Sequence, residues 1–226
     1  YNSCGLGLIG PDLAPAEAES LIASGFTAIK VRLGYPTLET DIEVVRAVKS
    51  AIGDGVHLMS DYNQALSVPD AVHRVRALAD EGLYWIEEPC LAHDYQGYAR
   101  VRAASRCPIQ MGENWWGPEE MATSLGFGAS DLGMPDAMKI GGVSGWMQAA
   151  ALADSAGMPI STHLFPEVSV HLMAATPTRH WLEFVDWASP ILARPMEIRN
   201  GKASIPDAPG TGIEWDEAAV SRCLVH

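Results

Sequence analysis

Three carboxylates, Asp61, Glu87 and Glu113, recur at equal intervals of 26 residues. Each follows a short, largely apolar stretch rich in β-formers, and Pro89 stops the middle one. Acids that end buried strands are costly and raise one another's pKa unless a cation lies between them. All-oxygen donors suit a hard ion, and a site with room for water and a substrate oxygen suits Mg²⁺. The competing reading is three separate salt bridges to Lys and Arg.

Further chemistry-bearing residues stand at the ends of other strand-like stretches. Lys30 and Arg32 alternate with Ile29 and Val31, so both point to one side of a strand. Lys30 there is a fixed positive charge for a substrate carboxylate. Asp136 and His163 fall after neighbouring strands. A carboxylate that accepts from one imidazole nitrogen fixes the tautomer, favours the protonated ring and leaves the other nitrogen for substrate. A solvated loop histidine is the bland alternative for His163, one of seven histidines. Glu183 is flanked by Trp181, Leu182 and Phe184. Apolar surroundings raise a carboxyl pKa, and a protonated Glu183 could donate to a developing oxyanion. The pair Trp115 and Trp116 reads equally as a pocket wall or as packing.

The elements that must carry these groups alternate. Strands are expected at 27–32, 56–61, 85–89, 109–112, 131–134, 158–161 and 181–183, with the end of another at 1–4. Helices fall between them at 15–24, from Leu38 to the residue before Gly53, and at 68–79, 95–104, 118–125, 143–156 and 169–175. Their stripes of apolar residues follow helical spacing. Gly25, Gly53, Gly82 and Gly157 sit where helices stop. Strict alternation predicts a parallel sheet, and eight strands can close into a barrel whose C-terminal strand ends share one site. An open doubly wound sheet is the rival. Residues 1–190 form the barrel in this reading, with the first strand truncated. Residues 191–226 form a Pro/Gly-rich tail packed on it.

With 226 residues, 48% of them hydrophobic and 19% charged, the chain can bury one sizeable core. A net charge of -13 argues against nucleic acid or an anionic membrane surface as partner. Four scattered cysteines without a Cys-x-x-Cys give neither a zinc ribbon nor a disulfide scaffold, and point to a reducing, cytoplasmic setting. No apolar run reaches membrane-spanning length, and no secretory leader pattern opens the chain.

The motifs Ala28-Ile29-Lys30-Val31-Arg32-Leu33-Gly34-Tyr35-Pro36, Asp61-Tyr62-Asn63-Gln64, Met111-Gly112-Glu113-Asn114-Trp115 and Met134-Pro135-Asp136-Ala137-Met138-Lys139-Ile140-Gly141-Gly142 occur together with Ser161-Thr162-His163-Leu164-Phe165 and His180-Trp181-Leu182-Glu183. In combination they resemble the barrel domain of the enolase superfamily, mandelate racemase subgroup. The resemblance implies a (β/α)7β barrel of the TIM type, normally capped by an N-terminal α+β domain that these residues do not include. It implies Mg²⁺ on Asp61, Glu87 and Glu113, an Asp136–His163 acid/base dyad, Glu183 stabilising an enediolate, Lys30 by the substrate carboxylate, and Asn63 near metal and substrate. It also implies a homo-oligomer. The chemistry is removal of a proton α to a carboxylate, by a racemase or epimerase of a 2-hydroxy acid. The racemases of the subgroup carry a lysine where this chain has Arg32, and arginine stays protonated. A sugar-acid dehydratase, working with His163 alone, is therefore the alternative. A non-catalytic barrel, fragment or scaffold, is the third.

Overall fold

Five parallel strands form the paired part of the sheet in the computed structural model, which describes residues 1–224. They are β1 (Ala28–Arg32), β2 (His57–Asp61), β3 (Ile86–Glu87), β4 (Ile109–Met111) and β5 (Leu132–Gly133), hydrogen-bonded in that order. The circle closes through single bridges. Gly133 pairs with Ile160, Ile160 with Arg179, and Asn2 with both Phe184 and Ile29, all parallel. The strands expected at 158–161 and 181–183 are present as these bridges rather than as ladders. Pro159 has no N–H to give, so the first of these stretches cannot pair along its length. The result is a barrel, as the alternation predicted, and not an open sheet.

Helices α1 (Ala14–Ile22), α2 (Leu38–Ile52), α3 (Val68–Ala77), α4 (Tyr95–Ala104), α5 (Pro118–Phe127), α6 (Gly142–Ala156) and α7 (Pro166–Ala175) form the outer layer. Local chemistry sets their ends. Thr37, Ser67 and Asp94 accept from backbone N–H groups in the first turns of α2, α3 and α4. Pro118 starts α5, and Gly157, at φ 64°, ends α6 in the left-handed conformation.

Alternation along the strands separates two cores. Ile29, Val31, Leu58, Ile86 and Ile109 face the helices. Ala28, Met59, Trp85, Leu132 and Met134 pack with Tyr1 inside the barrel. Lys30, Asp61 and Glu87 lie two residues beyond Ala28, Met59 and Trp85, so they share the inner face one layer higher. The register sets Arg32 beside Asp61 and Asp61 beside Glu87.

Beyond residue 190 a hairpin, β6 (Ile198–Arg199) and β7 (Lys202–Ala203), precedes α8 (Glu217–Arg222). Gly201 lies so close to Gly25 that a Cβ on it would stand 2.5 Å from the Gly25 carbonyl oxygen. His171 Nε2 is 3.1 Å from the Thr211 carbonyl oxygen. No described helix is long and apolar enough to cross a membrane.

Candidate active site

The C-terminal strand ends gather a buried charge cluster around one ammonium. Lys30 Nζ lies 2.7 Å from Glu87 Oε1, 2.9 Å from Glu183 Oε1 and 3.7 Å from Asp61 Oδ2, with the residue 7% exposed. Burial alone would lower the Lys30 pKa. Glu183 and Glu87 outweigh it and hold the group well above its ordinary value. Glu87 takes further N–H donors from Trp85 Nε1 at 3.1 Å and Gln110 Nε2 at 3.4 Å. Its own pKa is raised, first by burial and then by Asp61, Glu113 and Glu183, which together outweigh Lys30.

Glu183 has a charged neighbourhood that its apolar sequence context does not show. Burial does push it up, but Lys30, His163 and the backbone N–H of Leu164 push harder, and its pKa falls to about 2. Its apolar sequence neighbours said nothing of a lysine arriving from β1. In this arrangement Glu183 accepts from Lys30 Nζ at 2.9 Å and from the Leu164 N–H at 2.8 Å.

His163 and Asp136 meet as expected. Nδ1 lies 2.7 Å from Asp136 Oδ2, and Nε2 lies 3.5 Å from Glu113 Oε2. Burial lowers the His163 pKa, yet Asp136 and the nearby acids leave it raised overall. Asp136 is held in turn by the N–H groups of Met138 at 2.7 Å and Lys139 at 3.1 Å. Its pKa is lowered: burial pushes it up, and His163 and these N–H groups outweigh that push.

Arg32 Nη2 stands 3.2 Å from Asp61 Oδ2, at the exposed edge of the cluster. Asn63, at φ 46°, donates its backbone N–H to Asp61 Oδ1 at 2.7 Å. Gly112 shapes the turn into Glu113: at φ 137°, a Cβ there would lie 2.7 Å from the Trp115 ring. Trp115 is therefore a packing residue, whereas Trp116 is 69% exposed.

Sequence reasoning missed Glu88 as part of the site. It is fully buried at φ 40°, and Asn114 Nδ2 donates to its Oε1 at 2.9 Å. Its Oε2 has no partner among the described residues. Burial and Glu113 raise its pKa to about 7. The signal was present in the doubled acid at 87 and 88, of which the first reads as a ligand and the second only as a supporting or structural group.

Among the described residues, no three His, Cys, Asp or Glu side chains converge on one point as a metal cage. Asp61, Glu87 and Glu183 gather round Lys30 instead, while Glu113 lies against His163. The donor chemistry nevertheless fits a hard divalent ion. Asp61, Glu87, Glu88, Glu113 and Glu183 outnumber the Lys30 and Arg32 cations, one buried carboxylate oxygen is orphaned, and two of the acids have raised pKa values.

The family model for enolase C-terminal domain-like proteins matches residues 14–219. This chain belongs to that family. An enolase from the alpha-proteobacterium bal199, solved with bound Mg, is 48% identical and superposes over 100% of this chain and 63% of its own with a TM-score of 0.97. An enolase from Bradyrhizobium, complexed with magnesium and mandelic acid, is 40% identical over 100% of this chain and 62% of its own, with a TM-score of 0.94. The L-talarate/galactarate dehydratase of Salmonella typhimurium is 36% identical over 87% of this chain. This chain spans 49% of that relative's length. Other enolase-family relatives are cycloisomerases, epimerases and sugar-acid dehydratases.

Proposed function

We propose that this barrel abstracts the proton α to a carboxylate with His163 as the single base, and that its reaction is dehydration of a polyhydroxy acid. The carrying observation is the His163–Asp136 pair, 2.7 Å across, within electrostatic reach of Lys30 and Glu183. Asp136 holds Nδ1–H and orients the ring, so Nε2 is the nitrogen that meets substrate. The α proton moves to Nε2, and the same nitrogen returns it to the β-hydroxyl, which leaves as water. The enol that remains tautomerises to a 2-keto acid.

Asp61, Glu87 and Glu113 would hold Mg²⁺, with Asn63 supporting Asp61. A divalent ion there supplies Lewis-acid stabilisation for negative charge developing on the substrate carboxylate. Lys30 adds a fixed positive charge at the same place. Glu183 keeps Lys30 aligned from the far side of the Asn2 segment and accepts the Leu164 N–H, fixing the loop that follows His163. Arg32 is tied to Asp61 and, as an arginine, takes no proton. That favours a one-base reaction, and dehydratases and cycloisomerases are among the relatives.

Racemisation of a 2-hydroxy acid is the second reading, favoured by the mandelic acid complex of the Bradyrhizobium relative. Incubation with Mg²⁺ and a panel of 2-hydroxy acids in D₂O separates the two. A 2-keto product without inversion is expected. Recovered substrate with inverted configuration would select racemisation, and no exchange with any acid would reject both.

A further inference from the structure

At the end of the barrel away from the charge cluster, one histidine reaches across the interior. The ring of strands runs from Asn2 through β1 to β5, on to Ile160 and the 179–184 stretch, and back to Asn2. Tyr84, just before β3, and His180 therefore stand on opposite walls, four strands apart in either direction. Yet Tyr84 Oη lies 2.8 Å from His180 Nε2. On its own side, His180 Nδ1 lies 3.4 Å from Ser161 Oγ, and the His180 N–H donates to the Ile160 carbonyl at 2.7 Å. These last two stretches are paired by single bridges, so a side chain that ties them to β3 supplies what a ladder does elsewhere.

The same ring is badly placed to carry charge. Facing it are the Tyr84 phenol, the Ser161 hydroxyl, the indoles of Trp85 and Trp181 and, beyond Tyr84, the exposed His57 imidazole. Arg179, its exposed chain neighbour, turns its guanidinium to the Thr176 carbonyl at 3.5 Å. Tyr84 and Ser161 are the side chains that bond His180 among the described residues, and neither is an anion. Burial lowers the His180 pKa below its ordinary value. In either neutral tautomer one ring nitrogen donates and the other accepts, so one of the two hydroxyls points its hydrogen at the ring. Protonation makes both nitrogens donors, and that hydroxyl must turn away.

We propose that His180 is an acid-released brace: neutral, it ties the Tyr84 wall to the 160 and 180 stretches, and protonated, it lets the two walls part. The brace does not depend on the reaction proposed above. Its contribution is full above the unfolded histidine value of about 6.5 and is lost as pH falls through the lower folded value. His163 runs the other way, so the brace is read as a difference between the parent and a His180 variant. Both released stretches carry site residues at their far ends, His163 and Glu183, so acid loosens the barrel wall under them.

Native-state hydrogen exchange on the full chain tests this at two amides of the weak wall. Ile160 N–H donates to the Thr178 carbonyl at 2.9 Å, and Thr162 N–H to the Trp181 carbonyl at 3.0 Å. Protection is corrected for intrinsic exchange and taken relative to Ile86, in the middle of the sheet, so that global stability cancels. From about pH 7.5 to about pH 5.5 the parent should lose about tenfold in relative protection at both amides. His180→Gln keeps a side-chain amide that can bond the Tyr84 hydroxyl but does not titrate, and its relative protection should hold steady over the same range. Tyr84→Phe removes the hydroxyl and keeps the ring. Near neutral pH it should already show the low protection of the acidified parent. The same acid dependence in the parent and His180→Gln overturns the proposal, and so does full protection in Tyr84→Phe. Far-UV circular dichroism verifies that both variants fold.

Discussion

Asp136 and His163 each hold the other in its charged form. The His163 pKa is raised, so its contribution to stability is full below its unfolded value of about 6.5 and is lost as pH rises through the folded value. The Asp136 pKa is lowered, so its contribution is full above about 3.9 and is lost as pH falls through the folded value. Both contribute between roughly pH 4 and 6.5. Asp136→Asn should therefore destabilise most in that window, by about 3–5 kcal/mol as for a broken buried pair. Urea denaturation at pH 5.5 and pH 9 measures it, and a pH-independent loss would argue that the pair is not ionised. Catalysis needs the neutral imidazole. The same variant should shift the acid limb of deuterium exchange to lower pH and reduce the maximal rate by about 10²–10⁴. At this scale, the residue types and strand-end positions announced the dyad and the acids. The charge state of Glu183 was hidden, because it depends on Lys30, 153 positions earlier in the chain.

Between elements, Asp41 does structural work that its position at the start of a helix conceals. It is fully buried in the first turn of α2. Its Oδ1 accepts the N–H groups of Gly34 and Tyr35, both at 3.0 Å, and its Oδ2 accepts from Tyr62 and Arg74. One carboxylate thus ties β1's exit, β2's exit and α3 together. Asp41→Ala should cost about 1–3 kcal/mol in urea denaturation, since it strands a buried phenol and unpairs a half-buried guanidinium. A cost under 1 kcal/mol would mean that the network is redundant. Gly112→Ala should cost about 1–3 kcal/mol through backbone strain alone, and more through the Trp115 contact. Helices were the most legible elements, because stripe, cap and stop coincide in α2, with Thr37 at one end and Gly53 at the other. The last strands were legible as apolar stretches but not as single bridges, because pairing depends on partners across the barrel.

Across the whole molecule, the surplus of buried acid predicts a response to cations. Mg²⁺ at 100 times its dissociation constant should stabilise the fold by about 2.7 kcal/mol, reversibly on chelation. Thermal unfolding with and without Mg²⁺ reads this directly. Glu87→Gln should shrink the gain, and an identical gain in that variant would remove Glu87 from the ligand set.

The barrel closes where Asn2 lies between β1 and Phe184. Four backbone hydrogen bonds make that join: Asn2 to Ala28 at 3.0 Å, Lys30 to Asn2 at 3.1 Å, Ser3 to Phe184 at 2.9 Å and Phe184 to Tyr1 at 2.9 Å. Segments separated by about 180 residues of chain must find each other there, so the join forms late on entropic grounds. A parting there leaves β2 to β4 undisturbed. The amide protons of Ser3 and Phe184 should exchange with solvent through such partings, well before those of Ile86 and Glu88 in the middle of the sheet. Lys30 borders the join, so every parting would slacken the clamp on Glu87 and Glu183. Hydrogen exchange at two amides thus becomes a clock for how long the charge cluster stays assembled.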